Sequence, residues 1–213
     1  MTELHLDAVE TWARAELDRK NAAREQALHW SRELIRTCAH SIRAVHRHEF
    51  SDAQALLTDA HALNAQICAA LATEGDLFWT GYVQDAQKEL VEASCTFALV
   101  NKRALPDPVT LGVAPAAFLN GLAEAVGELR RYVLDLLRRA EADDCEPLLE
   151  AMDDIYALLV TLDYPDALTG GLRRSTDNAR GILEKTRGDL TLALRQEALV
   201  EALRLAERGA GES

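Results

Sequence analysis

The stretch LHWSRELIRTCAHSIRAV, residues 28–45, decides the fold class, because its apolar side chains recur at the spacing of an α-helix. Leu28, Ile35, Cys38, Ile42 and Val45 lie three, four or seven residues apart, with polar and charged side chains between them. This pattern is typical of a helix with one apolar face. It predicts a long amphipathic helix over residues 17–47.

Helical spacing continues along the rest of the chain, and no strand-like alternation persists. Helix-forming residues dominate, whereas the 11 glycines and 5 prolines collect in a few places. Further helices are predicted over residues 51–73, 76–102, 115–142, 146–162 and 166–207. A capping box from Ser51 to Gln54 would begin the second helix, and Gly75 would end it. Gly170 and Gly171 predict a break or hinge in the last helix.

The length of 213 residues, with 48% apolar residues, suits either one large domain or two small ones. No internal repeat or low-complexity linker separates two halves. We therefore predict one all-α domain over residues 1–213, a bundle of six to seven long antiparallel helices. The clearest loop is residues 105–112, where Pro106 and Pro108 exclude a continuous helix. Residues 1–6 and 208–213 are predicted to fray.

Targeting and redox features predict a soluble, cytoplasmic protein with no membrane partner. The sequence shows neither a secretory signal nor an apolar segment long enough to span a bilayer. Cys38, Cys68, Cys95 and Cys145 are widely spaced, so we expect reduced core thiols. The net charge of −12 argues against a generally basic surface for nucleic acid, so any such contact must come from a local patch.

Two groups of carboxylates are candidates for chemistry. Asp85, Glu89 and Glu92 fall at i, i+4 and i+7 of the third helix, among apolar neighbours that would partly bury them. Glu124 and Glu128 form a pair at i and i+4 of the fourth helix. Oxygen ligands from two facing helices would suit Mg²⁺ or Mn²⁺. Such pairs also arise by chance on the solvated faces of an acidic chain, so a purely structural role is the alternative.

A basic stripe lies opposite the apolar face of the first helix and consists of Arg32, Arg36, His40, Arg43 and Arg47. Phosphate groups could bind along this stripe despite the negative net charge. The alternatives are ion pairs with acidic neighbours or a place in a subunit interface. Arg130 and Arg131 follow Glu128 and are further candidates either for phosphate binding or for capping the carbonyl groups of their own helix.

Four segments resemble the translin family, most closely its catalytic branch, translin-associated factor X. They are residues 31–47, 82–93 (YVQDAQKELVEA), 118–131 (FLNGLAEAVGELRR) and 172–184 (LRRSTDNARGILE). The resemblance implies a Mg²⁺-dependent endoribonuclease, with Mn²⁺ as the alternative cation. It also implies that the catalytic and metal-binding residues are Glu89, Glu92, Glu124 and Glu128. Glu124 departs from the family, which usually has Asp at that position.

The resemblance further implies a hollow homo-oligomer, an octamer, whose active sites face the inside. Its substrate would be single-stranded or short structured RNA, with single-stranded DNA as a further ligand. We assign RNA binding to Arg32, Arg36, Arg43, Arg47, Arg130 and Arg131. A non-catalytic, translin-like oligomer that binds RNA or single-stranded DNA is the second hypothesis, and a structural helical adaptor is the third.

Overall fold

A computed structural model describes the backbone of residues 6–211 and the side chains of residues 6–208. These residues form α-helices and one 3-10 turn, without any β-strand, so the all-α prediction is confirmed. Within residues 6–211, six helices span 15 residues or more, in agreement with the predicted number of long helices. The elements are α1 (Leu6–His46), α2 (Phe50–Ala70), α3 (Gly75–Phe78), α4 (Gly81–Val100), α5 (Pro108–Leu111), α6 (Pro115–Arg138), a 3-10 turn (Ala142–Asp144), α7 (Glu146–Val160), α8 (Asp166–Thr169) and α9 (Leu172–Gly211).

The chain divides into two compact units, each with its own buried side chains. The first unit comprises residues up to Ala93 together with Pro106–Phe118. The second comprises Ser94–Leu105 together with the residues from Leu119 onwards. A single domain over residues 1–213 stays a prediction.

In the first unit, α1 and α2 pack as an antiparallel helical hairpin. The Ser41 hydroxyl donates to the carbonyl oxygen of Ala53 at 3.0 Å near the turn. At the other end, Arg19 of α1 pairs with Glu74, just beyond α2. Of the apolar face predicted from the sequence, Cys38, Ile42 and Val45 are buried, whereas Leu28 and Ile35 are half-buried.

The ends of the first three helices differ from the prediction. Helix α1 begins at Leu6 rather than residue 17. Its first turns consist of exposed and half-buried residues, and none of its residues before Ala27 is buried. The capping box at Ser51 is wrong: α2 begins at Phe50, and its N-cap residue, Glu49, makes no side-chain capping bond. Gly75 does not end α2, which stops at Ala70, but opens α3.

The predicted loop around Pro106 and Pro108 contains the short helix α5. The Asp107 side chain accepts hydrogen bonds from the backbone N–H of Thr110 at 2.8 Å and from its hydroxyl at 2.6 Å. These bonds lower the pKa of the Asp107 carboxyl. Gly112 ends the helix at φ 66°, in the left-handed region that glycine enters without a steric penalty.

In the second unit, α6 buries an apolar stripe at heptad-like spacing: Leu122, Val126, Leu129, Val133 and Leu136. Helix α7 packs against α9. The predicted break at Gly170 and Gly171 is confirmed, because both residues have positive φ angles and separate α8 from α9. The Asn120 amide fixes this break by donating to the carbonyl oxygen of Thr169 at 2.7 Å.

The predicted fraying concerns termini that lie partly outside the described residues, namely residues 1–5 and 212–213. Leu6 and residues 208–211 lie within helices. Within residues 6–211, none of the helices has the length and apolar content needed to cross a bilayer.

Candidate metal and nucleic-acid site

Helix α4 carries the first carboxylate pair, Glu89 and Glu92. Both side chains are half-buried, as the apolar sequence around them predicted, because their neighbours Leu90, Val91 and Ala93 are fully buried. One carboxylate oxygen of Glu89 lies within 4.8 Å of one of Glu92. Two oxygen donors at this separation on a half-buried helix face suit a hard divalent cation.

Asp85 belongs to the same stripe of the sequence but not to the same environment. Its side chain is exposed, whereas those of Glu89 and Glu92 are half-buried. Asp85, one turn earlier on α4, is therefore a solvated carboxylate, and only Glu89 and Glu92 of this stripe are partly enclosed by the fold.

Cys38 of α1 lies close enough to this pair to experience its charge. Burial raises the pKa of the Cys38 thiol, and the negative charges of Glu89 and Glu92 raise it further. The thiol is therefore neutral at physiological pH and acts as a small core residue, as predicted. All four cysteines are free: three are buried, and Cys68 is half-buried.

A buried polar cluster, which we did not predict, holds α4 beside these carboxylates. The fully buried Gln87 amide donates to the Asn64 side-chain oxygen at 3.2 Å and to the carbonyl oxygen of Gly112 at 3.3 Å. Asn64 in turn donates to the carbonyl oxygen of Leu111 at 2.7 Å. The cluster joins α2, α4 and the end of α5, so it fixes the rotation of the helix that carries Glu89.

Replacing Gln87 by Ala should destabilise the protein by about 1–3 kcal/mol, because it leaves buried acceptors on Asn64 and Gly112 without their donor. We expect the Tm to fall by about 5 °C at constant protein concentration. Thermal unfolding monitored by circular dichroism measures the change. Gln66→Ala, at an exposed position of α2, is the control and should shift the Tm by about 1 °C or less. Equal shifts in the two variants would show that the cluster contributes no particular stability.

Helix α6 carries the second carboxylate pair, Glu124 and Glu128, and both side chains are half-buried. One Glu128 oxygen lies 3.7 Å from a guanidinium nitrogen of Arg131. The nearby Gly127 faces Ile182 of α9, and a Cβ atom at this glycine would lie 3.8 Å from the Ile182 side chain. A methyl group would therefore fit at this position, so the packing of α9 against α6 does not depend on the glycine.

The two adjacent arginines of α6 have different surroundings. Arg130 donates to the Thr186 hydroxyl at 3.1 Å and to the Asp189 carboxylate at 2.8 Å, both on α9. Its side chain is only 24% exposed, whereas that of Arg131 is 56% exposed. Arg130 thus helps to join α6 to α9, and Arg131 is the more accessible of the two predicted phosphate-binding residues.

The two arginines should respond oppositely to substitution. Arg130→Met leaves Asp189 and Thr186 without their donor, so it should lower stability by about 2 kcal/mol and change RNA affinity less than about twofold. Arg131→Met should leave the Tm unchanged and weaken RNA binding severalfold. Thermal unfolding and fluorescence anisotropy with labelled RNA measure the two effects. A loss of RNA affinity in well-folded Arg130→Met protein would contradict this assignment.

The basic stripe of α1 is exposed at all four of its arginines, Arg32, Arg36, Arg43 and Arg47. Arg47 pairs with Glu49 at 3.0 Å, which is one of the alternatives left open by the sequence. In the part of the chain that the structure describes, the other three arginines form no ion pair. A cavity of about 310 Å³ at the C-terminal end of the stripe is lined by His40, Arg43, Ala44, Arg47, Glu49, Asp52 and Leu56.

Comparison with known proteins identifies the family. No protein-family model matches the chain. An uncharacterised protein of Methanocaldococcus jannaschii is 31% identical over 194 residues, which cover 91% of this chain and 86% of the relative. The structure of AfC3PO, from Archaeoglobus, in complex with duplex RNA matches with 36% identity and a TM-score of 0.81, covering 87% of this chain and 96% of that one. The chain belongs to the translin family, as a C3PO homologue.

A more distant C3PO protein supports the fold. Apo-NeC3PO, from Nitrosomonas, has a TM-score of 0.77 with 17% identity, and the match covers 91% of this chain and 99% of that one. At this identity the likeness shows the fold alone. The translin-like fold expected from the four resembling segments is therefore confirmed.

Proposed function

We propose that this C3PO homologue is a metal-dependent endoribonuclease, as the sequence resemblance implied. The observation that carries the proposal is the half-buried pair of Glu89 and Glu92, whose carboxylate oxygens approach within 4.8 Å. Two half-buried carboxylates this close repel each other, because water screens their charges only in part, and a divalent cation bound between them would favour the charged pair. The match to an RNA complex of AfC3PO supports RNA as the substrate class.

The complete site in this proposal consists of Glu89, Glu92, Glu124 and Glu128. All four are half-buried glutamates, and an all-oxygen donor set fits Mg²⁺ or Mn²⁺ better than a softer metal. Such a cation, when bound, supplies Lewis-acid chemistry at the scissile phosphate and makes water a better nucleophile. A glutamate that does not ligate the cation would accept the proton of the attacking water.

RNA reaches this site, in the proposal, along the exposed arginines of α1 and Arg131. The cavity at the end of the stripe offers the Arg43 guanidinium, which forms no ion pair within the described chain, to a backbone phosphate by charge-assisted hydrogen bonds. Arg47 lines the same cavity but is already paired with Glu49. Both single-stranded and duplex RNA are candidate substrates, since AfC3PO binds a duplex. A hollow homo-octamer with internal active sites stays part of the proposal.

The test is cleavage of end-labelled RNA, offered as a single strand and as a duplex of the same sequence. With Mg²⁺ we expect internal cleavage; EDTA should abolish it, and excess Mg²⁺ or Mn²⁺ should restore it. Binding of Mn²⁺ to the RNA-free protein, followed by electron paramagnetic resonance, gives a second measurement that does not depend on activity. Tight RNA binding without cleavage would instead favour the non-catalytic oligomer, which also binds single-stranded DNA in that hypothesis.

A further inference from the structure

The second unit has an acidic surface that the proposed ribonuclease function does not use. Between Arg139 and Arg173 the chain contains nine Asp and Glu residues and no Lys or Arg. Most of these carboxylates are exposed on α7 and on the segment that leads to α9. Such a surface repels nucleic acid and attracts cations or basic proteins.

A pocket lined by both polar and apolar residues lies within this acidic surface, between the end of α7 and the start of α9. Its volume is about 310 Å³, near the lower end of the range for ligand-binding pockets, about 300–1,000 Å³. Leu159 and Leu172, each 2% exposed, form the buried apolar part of the pocket wall. Its lining also includes Tyr156, Tyr164, Asp163, Arg173 and Asp177.

The charges around the pocket are mainly negative. Asp163 pairs with Arg173 at 2.8 Å, and both side chains are highly exposed. A second depression of about 470 Å³ shares Asp163, Tyr164 and Arg173 with the first and adds Asp166. Asp166 and Asp177 are exposed and form no ion pair with any residue that the structure describes. Two carboxylates are therefore available to an incoming cation.

Exposed apolar side chains accompany these carboxylates. Val160 is 53% exposed, Tyr164 is 60% exposed and Leu168 is 69% exposed. An aromatic ring next to carboxylates suits the side chain of Lys or Arg, whose apolar stem packs on the ring while its charged end pairs with an acid. The neighbouring apolar side chains would contact apolar residues of the same partner.

We propose that this surface, centred on Tyr164, docks a basic amphipathic peptide segment of another protein. A Lys or Arg side chain of the partner enters the pocket beside Tyr156 and Tyr164 and pairs with Asp166 and Asp177. Charge complementarity favours this occupant over RNA, which the same carboxylates repel, and over the same acidic surface of a second copy, which carries the same charges.

The experiment uses the full-length protein and a fluorescein-labelled peptide that alternates Arg with Leu and Ala. Fluorescence anisotropy at low and at physiological salt should show saturable binding. The double variant Asp166→Asn/Asp177→Asn should weaken binding about fivefold or more, and Tyr164→Ala should do the same. A peptide with Glu in place of Arg should not bind.

Matched variants separate a docking site from general attraction to an acidic protein. Asp18→Asn/Asp59→Asn removes the same charge from exposed positions of α1 and α2, and Trp79→Ala removes an aromatic ring that is 63% exposed. These controls should change affinity less than about twofold. Equal weakening in both double variants, or no saturable binding at low salt, overturns the proposal. A change of oligomeric mass in the Tyr164 variant without peptide binding also overturns it, because a second copy would then occupy the surface.

Discussion

Replacing Glu89 by Gln should lower RNA cleavage by about 100-fold or more while leaving RNA binding intact. The substitution keeps the size of the side chain but removes one of two negative charges that lie within 4.8 Å of each other. In the proposed site this charge holds the cation, and an amide oxygen is a much weaker ligand for Mg²⁺. Single-turnover cleavage of labelled RNA under saturating protein measures the effect independently of affinity.

The matched control is Asp85→Asn, one turn earlier on the same helix. It removes the same charge from the same stripe of α4, but from an exposed position. Cleavage by this variant should stay within about twofold of the unmodified protein. If Asp85→Asn and Glu89→Gln lose activity equally, the effect reflects the charge of α4 in general. If both retain full Mg²⁺-dependent activity, the carboxylate site is refuted.

The half-buried state of Glu89 and Glu92 was predictable because it depends on local sequence. On a helix, residues four apart share a face, so the fully buried Ala93 lies beside Glu89 and brings that carboxylate to the edge of the buried surface. The break at Gly170 and Gly171 was predictable for the same reason, since two adjacent glycines favour positive φ angles.

The contacts of Gln87 and Arg130 were not predictable, because each depends on residues distant in the sequence. Gln87 reaches Asn64 and Gly112, and Arg130 reaches Asp189. A glutamine within a helix has no sequence signal that distinguishes a buried amide from a solvated one. Likewise, two consecutive arginines look equivalent in sequence, although a turn of about 100° per residue directs them to different environments.

The start of α1 was missed for a different reason: its side chains are exposed or half-buried. Apolar spacing predicts the part of a helix that is buried, and in α1 this part begins at Ala27. The preceding residues are helical without burial, supported by ion pairs such as Arg14 with Glu10 at 2.8 Å. Sequence patterning therefore located the core of α1 but underestimated the length of the helix.

The second large effect is expected when three arginines of the α1 stripe are replaced together. Arg32→Gln/Arg36→Gln/Arg43→Gln removes the exposed guanidinium groups that form no ion pair within the described chain. Each phosphate contact releases counterions, so the triple variant should bind duplex RNA about 10- to 100-fold more weakly at physiological salt. The slope of log affinity against log salt should also decrease by about 2 to 3.

A matched triple variant decides whether this loss belongs to the stripe. Arg195→Gln/Arg204→Gln/Arg208→Gln removes three charges from exposed positions of α9 and lowers the net charge of the protein by the same amount. If RNA is attracted only by total charge, both triple variants should weaken binding equally. If RNA binds along α1, only the first should change the salt slope. Because Glu89 and Glu92 are retained in both variants, cleavage at saturating RNA should persist, which separates the path of the RNA from the chemistry at the carboxylates.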